Sequence, residues 1–156
     1  MNQFAMWLLL LWLPLLTGAS DIDELLQNGG RFMIKSWNYK YLCGDDYFCG
    51  DCYENGYIYH TENPTNNIHL WTFEKRSEKT VAICSSRGKY MRYTGLWMDL
   101  QPKLYRSEEW TPRKHKDGKW SFASRDEFIS AIRDDDRIEM VDEGKSCEKW
   151  TLEPWN

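Results

Sequence analysis

The chain has 156 residues, with 20 Lys and Arg against 24 Asp and Glu, for a formal charge of −4 at neutral pH. A composition of 42% hydrophobic and 28% charged residues belongs to a globular protein and excludes a disordered or collagen-like chain. The acidic balance counts against whole-domain nucleic-acid binding and against adsorption to anionic membranes, both of which need a basic footprint. Nine Trp, nine Tyr and six Phe are a heavy aromatic load that suits a β-rich core.

Residues 4–16 form an uncharged apolar run that is too short for a spanning helix, which needs roughly 20 apolar residues. Small residues follow at 17–20 and charge begins at Asp21, the profile of a signal peptide over 1–19, although the start carries no Lys or Arg. The expectation is a secreted, extracellular protein whose single domain covers 20–156, with no membrane span after cleavage. One turn of helix is expected at Asp21–Gln27. The only glycosylation-like triplet, Asn63-Pro64-Thr65, is disqualified by its proline. All five cysteines, Cys43, Cys49, Cys52, Cys84 and Cys147, follow the leader, and in an oxidising compartment they are disulfide candidates. The odd count leaves one thiol free or paired to another chain as a disulfide-linked dimer.

Beyond the leader the sequence repeats. Trp71, Trp110 and Trp150, spaced by 39 and 40 residues, are each followed by Thr. Upstream of each lies an apolar-x-apolar-x-Ser pattern, at Phe32/Ile34/Ser36, Val81/Ile83/Ser85 and Trp120/Phe122/Ser124. A short turn follows each pattern, then an aromatic and an aliphatic: Tyr41-Leu42, Tyr90-Met91 and Phe128-Ile129. A third element precedes each tryptophan: Tyr57 to Tyr59, Leu96 to Met98, and Arg137 to Met140. The period-2 alternation predicts four short strands per unit, with one face buried. Asp117-Gly118 marks a tight hairpin between units, and Pro112 is expected to break its strand locally. The units fall at about 30–79, 80–118 and 119–156. The first is longer by a Cys-containing insertion over 43–55.

Three four-stranded units of this length resemble the β-trefoil superfamily, an all-β fold with pseudo-threefold symmetry. The Ile83 to Met91 segment, with its Ser, Gly88-Lys89 turn, Tyr90 and Met91, is similar to a fascin-like repeat; Ile34 to Leu42 fits too, while Ser124 to Ile129 lacks the Gly-Lys pair. The resemblance implies a six-stranded barrel capped by three hairpins and closed by the last strand, Lys149–Trp155, against the first, Arg31–Trp37. Actin cross-linking, the role of cytosolic tandem fascins, is not implied for one exported unit. The Gln-x-Trp of ricin-type lectins is absent, since His69, Glu108 and Glu148 stand in its place. The basic cluster Arg113 to Lys116 with Lys119 reads as a solvated strand and turn.

The chemistry-bearing residues are few. Cys43, Cys49 and Cys52 with His60 have the elements of a zinc site, but export favours a disulfide-stapled loop. Cys49-Gly-Asp-Cys52 lacks the helix that activates redox dithiols. Asp45, Asp46, Asp51 and Glu54 lack the spacing of a calcium loop. The recurring Ser36, Ser85 and Ser124 read as turn formers, and no nucleophile-and-base motif is present. The expectation is therefore a non-enzymatic binding protein without cofactor or metal, whose partner is a protein or a carbohydrate. Its contact surface is expected on the inserted loop, through Tyr47, Phe48 and Tyr53. The alternatives are a secreted effector or toxin, a lectin-like protein, or a protease inhibitor.

Overall fold

The computed structural model describes residues 20–27, 29–46, 56–142 and 146–155. A short helix, α1 (Asp21–Leu26), precedes twelve strands among the described residues. These are β1 (Arg31–Lys35), β2 (Tyr41–Asp45), β3 (Tyr57–Thr61) and β4 (Leu70–Lys75), then β5 (Val81–Ser85), β6 (Tyr90–Tyr93), β7 (Met98–Gln101) and β8 (Thr111–Lys114), then β9 (Trp120–Ser124), β10 (Glu127–Ala131), β11 (Ile138–Val141) and β12 (Thr151–Pro154).

The helix exists because Ser20 caps it. Its hydroxyl accepts from the Asp23 backbone N–H at 3.2 Å while donating to the Asp23 carboxylate at 2.8 Å, so a donor that the first turn leaves open is satisfied. Ile22 and Leu25 face inward, and α1 lies against β4 and β8. Asp21 accepts from the Lys114 backbone N–H at 2.9 Å, and Glu24 pairs with the Lys114 ammonium.

The strands form an eight-stranded and a four-stranded antiparallel sheet that together make a nearly closed, barrel-like layer. Around it β1 pairs with β4, β4 with β5, β8 with β9, and β12 with β1. The breaks between the sheets are bridged at Val81–Trp110 and Trp120–Trp150, each by two backbone hydrogen bonds of 2.7–2.8 Å. The closing register sets Phe32 opposite Pro154 and Ile34 opposite Leu152, as expected for the last strand. The remaining strands leave this ring as three hairpins: β2–β3, β6–β7 and β10–β11.

The interior repeats what the sequence repeats. Trp71, Trp110 and Trp150 are all completely buried. Each indole N–H donates to the carbonyl of the aliphatic residue in its own unit: Leu42 at 2.9 Å, Met91 at 2.9 Å and Ile129 at 3.0 Å. Ile34, Ile83 and Phe122 are buried beside them, and Phe73 stacks on Phe122 with centroids 5.2 Å apart. Two of the three serines close turns as expected. Ser36 and Ser85 N–H groups each donate to the carbonyl four residues on at 2.8 Å, and both hydroxyls accept a backbone N–H from that same lysine. The third unit instead links β9 to β10 with Arg125 and Asp126, both at positive φ, the geometry of a two-residue hairpin turn.

Two expectations are corrected here. Pro112 does not break its strand: it is buried in β8 opposite Phe122. Within its sheet β8 pairs only with β9, so the missing N–H faces no ladder partner. Leu96 and Trp97 are not strand residues but the tip of the β6–β7 hairpin, which starts its return strand at Met98.

Candidate functional site

The three hairpins converge through their return strands. Tyr59 of β3 bridges to Arg137 just before β11, and the Leu100 N–H of β7 donates to the Gly56 carbonyl at 3.4 Å. Where they meet is an open cavity of about 870 Å³. Aromatic and thioether groups form one part of its lining: Tyr57 and Tyr59, Trp97, Met98 and Met140. Carboxylates and one guanidinium form the other: Glu127, Asp136, Glu139 and Arg137. An apolar cavity with a few convergent polar groups is the usual form of a small-molecule site.

Strand geometry sets the aromatic wall. Tyr57 and Tyr59 are two residues apart on β3, so they share a face, and their rings stack at 4.9 Å with 19° between planes. Burial, with the neighbouring Cys43, raises the Tyr59 phenol well above its ordinary pKa, so the ring stays neutral. Trp97 is 51% exposed and Leu96 84% exposed at the hairpin tip. This tip is fixed rather than loose. The Thr94 hydroxyl accepts both the Leu96 and Trp97 backbone N–H groups at 3.2 Å, the Thr94 N–H donates to the Trp97 carbonyl at 3.0 Å, and Arg125 donates to the Thr94 carbonyl at 3.0 Å. Gly95, at φ +95°, makes the turn; an added Cβ there would approach the Arg125 guanidinium to 2.7 Å.

The polar wall is held from behind. Asp136 pairs with Lys40 at 2.7 Å, the Arg137 Nε donates to Asp135 at 2.7 Å, and the Tyr93 hydroxyl donates to Glu127. Beneath them His60 is fully buried; its N–H donates to the Asp136 carbonyl at 2.8 Å and its Nε2–H to the Asp135 carbonyl at 2.7 Å. Burial lowers its pKa, so the ring is neutral, and Nδ1 has no hydrogen-bond partner. His60 therefore supports the turn that carries Asp136 and Arg137.

Of the residues expected to form the site, Tyr47, Phe48 and Tyr53 lie outside the described residues, as do Cys49, Cys52 and the leader over 1–19. No disulfide joins the described cysteines. Cys43, Cys84 and Cys147 are free thiols, and they sit apart, in β2, in β5 and in the Ser146–Glu148 turn before β12. Cys43 is fully buried and donates weakly to the Tyr41 carbonyl at 3.4 Å. Burial, with the Asp45 charge, pushes its thiol up to about 12. Burial, with Glu74, pushes Cys84 up to about 11, so both thiols are protonated at neutral pH. Nothing supports the disulfide-linked dimer. The basic cluster is absorbed by the fold: Arg113 lies over Phe128, Lys114 over Trp120, and His115 hydrogen-bonds the Ser121 hydroxyl at 2.9 Å. The described residues contain no group of three His, Cys, Asp or Glu placed to hold a metal ion.

No family model matches the chain, and no curated protein matches it in sequence. Solved structures do match in fold. One is SeviL bound to asialo-GM1 saccharide, with a TM-score of 0.63 and 13% identity over 80% of this chain and 96% of that one. Another is a mosquitocidal holotoxin, with a TM-score of 0.69 and 14% identity over 84% of this chain and 18% of the toxin chain. At such identities the likeness concerns the fold.

Proposed function

We propose that this is an exported, non-enzymatic, lectin-like β-trefoil that binds a saccharide in the cavity between its three hairpins. The observation that carries the reading is the pairing of a stacked Tyr57–Tyr59 platform and an exposed, fixed Trp97 with the carboxylates of Glu127, Asp136 and Glu139 around one cavity. A pyranose has an apolar C–H face and a rim of hydroxyls. The aromatic wall suits the first by stacking, and ionised carboxylates accept hydrogen bonds from the second. The three equivalent Trp-to-carbonyl hydrogen bonds support the trefoil reading, because each unit repeats the same internal bond. The saccharide carried by one structural neighbour favours this role over a protein partner. A toxin role would use the same site: the match to a fraction of a holotoxin chain fits a targeting module within a larger assembly.

The test is a saccharide array followed by titration calorimetry on the purified protein and on Tyr57→Ala and Trp97→Ala. Each variant is expected to bind at least tenfold more weakly with an unchanged urea midpoint, since both rings are partly exposed. Retention of no saccharide, or full affinity in both variants, would overturn the proposal.

A further inference from the structure

The charge around the cavity is lopsided, and the pairing of the individual groups says which ligands it tolerates. Three carboxylates, Glu127, Asp136 and Glu139, face one guanidinium, Arg137. That guanidinium is engaged by Asp135 at 2.7 Å, so its positive charge is already compensated. Lys40 compensates Asp136 in the same way at 2.7 Å. Glu127 accepts from the Tyr93 hydroxyl, a neutral donor, so that bond brings no countercharge. Glu139 stands on β11 opposite Ser130, between Ile138 and Met140, both of which also line the cavity. It is exposed, and among the described residues none forms a hydrogen bond or ion pair with its carboxylate. Adding the bracing residues Asp135 and Lys40 leaves the surplus of negative charge unchanged, and adding the Arg125 guanidinium against the Trp97 hairpin reduces it without cancelling it. A cleft of one sign focuses its field on whatever enters, and a ligand of the same sign is repelled while the neutral analogue is not.

Resting on the saccharide reading above, we propose that the cavity selects uncharged saccharides and rejects sialylated, sulfated or phosphorylated ones, with Glu139 as the residue that sets the discrimination. Its position suits that role. Glu127 and Asp136 each have a partner within the protein that would have to be given up to meet a ligand, whereas Glu139 is free to point its charge at the solvent-facing end of a bound chain. The exclusion is electrostatic, so it weakens with salt: the screening length shrinks from about 10 Å at 0.1 M to about 3 Å at 1 M. A steric exclusion would not change.

The experiment uses a panel of oligosaccharides, each in neutral, sialylated and sulfated form, with affinities measured for the wild type, Glu139→Gln and Glu139→Lys at 20 mM and 500 mM salt. The neutral member of each bound set is expected to bind at least tenfold more tightly at low salt. The ratio should fall below threefold at high salt, shrink in Glu139→Gln, and vanish or invert in Glu139→Lys. Urea midpoints should match in all three proteins, because residue 139 is exposed. Equal or tighter binding of the acidic members by the wild type would overturn the inference and leave the saccharide reading standing. So would a preference that neither salt nor Glu139→Lys alters. Binding of no panel member in any form would overturn both.

Discussion

Replacing Trp71, Trp110 and Trp150 by Phe, one at a time, tests whether the three units are physically equivalent. Each indole is fully buried, and each donates to an aliphatic residue's carbonyl at 2.9–3.0 Å. Phe keeps the ring but loses the donor, which for a buried bond costs about 1–2 kcal/mol. It also leaves a void of roughly 40 Å³, which at about 24 cal/mol per Å³ adds about 1 kcal/mol. Each substitution should therefore destabilise by about 2–3 kcal/mol, and the three values should agree to within about 1 kcal/mol. Trp155 is the control: it is half-buried and reaches the Trp71 carbonyl at a long 3.3 Å, so its Phe variant should lose less than about 1 kcal/mol. Urea unfolding followed by far-ultraviolet circular dichroism gives the midpoint and its slope; an unchanged slope licenses the comparison. A spread above about 2 kcal/mol among the three, or a Trp155 effect as large as theirs, would refute the equivalence.

Glycine substitutions probe the tightest backbone approaches. In Gly44→Ala the new Cβ would stand 2.7 Å from the Trp71 ring and 3.2 Å from the Leu100 Cδ1, an overpacking expected to cost about 1–3 kcal/mol by urea midpoint. Gly30→Ala should cost more, because its Cβ would meet the Phe73 carbonyl oxygen at 2.4 Å in a residue held at φ +66°; a smaller loss than Gly44→Ala would contradict this ordering. Acidification should destabilise the fold through His60. Its folded-state pKa is depressed below the unfolded value of about 6.5, so this contribution is complete above that pH and is lost as pH falls toward the folded-state pKa. His69 is shifted the same way by burial and adds to the trend. Equal urea midpoints at pH 7.5 and pH 5 would contradict the assignment of a neutral, buried His60.

What the sequence made legible were features imposed three times. A tryptophan every forty residues and an aliphatic upstream are demanded by the same interior bond in every unit, and the serine by the same turn in the first two, so the copies separate them from chance. The misreadings came from single positions. Pro112 looked like a strand breaker because the sequence does not say on which side a strand lacks a partner. Leu96 and Trp97 looked like strand because they stand where the other units have strand. The Thr94 hydroxyl and the positive φ of Gly95 convert them to a hairpin tip. Cysteines read by compartment were expected to pair, while the fold sets the described ones on separate elements with Cys43 sealed in the core. The cavity itself was hidden because Tyr57, Trp97 and Glu139 come from three different units. Two signals pointed to it. Tyr57 and Tyr59 alternate onto one face of a strand, and Trp97 is a tryptophan beyond the three recurring Trp-Thr pairs.

The places where the units differ are also where the proposed binding site lies. The core positions Ile34, Ile83 and Phe122, with the three tryptophans, are all large and apolar because the same packing must be satisfied in each unit. The return strands of the hairpins are under no such constraint, since they meet at an open cavity. Identical side chains there would produce either three aromatic walls with no polar rim or a ring of like charges. Instead one unit contributes the tyrosine stack, the second an exposed tryptophan and a methionine, and the third an acidic edge. A saccharide presents two unlike faces, so a site assembled from three unlike strands can meet both, which three copies of one strand could not. On the proposed reading, folding energy and binding specificity are carried by separate residues, and substitutions at exposed positions such as 97 and 139 should change the ligand without changing the barrel beneath them.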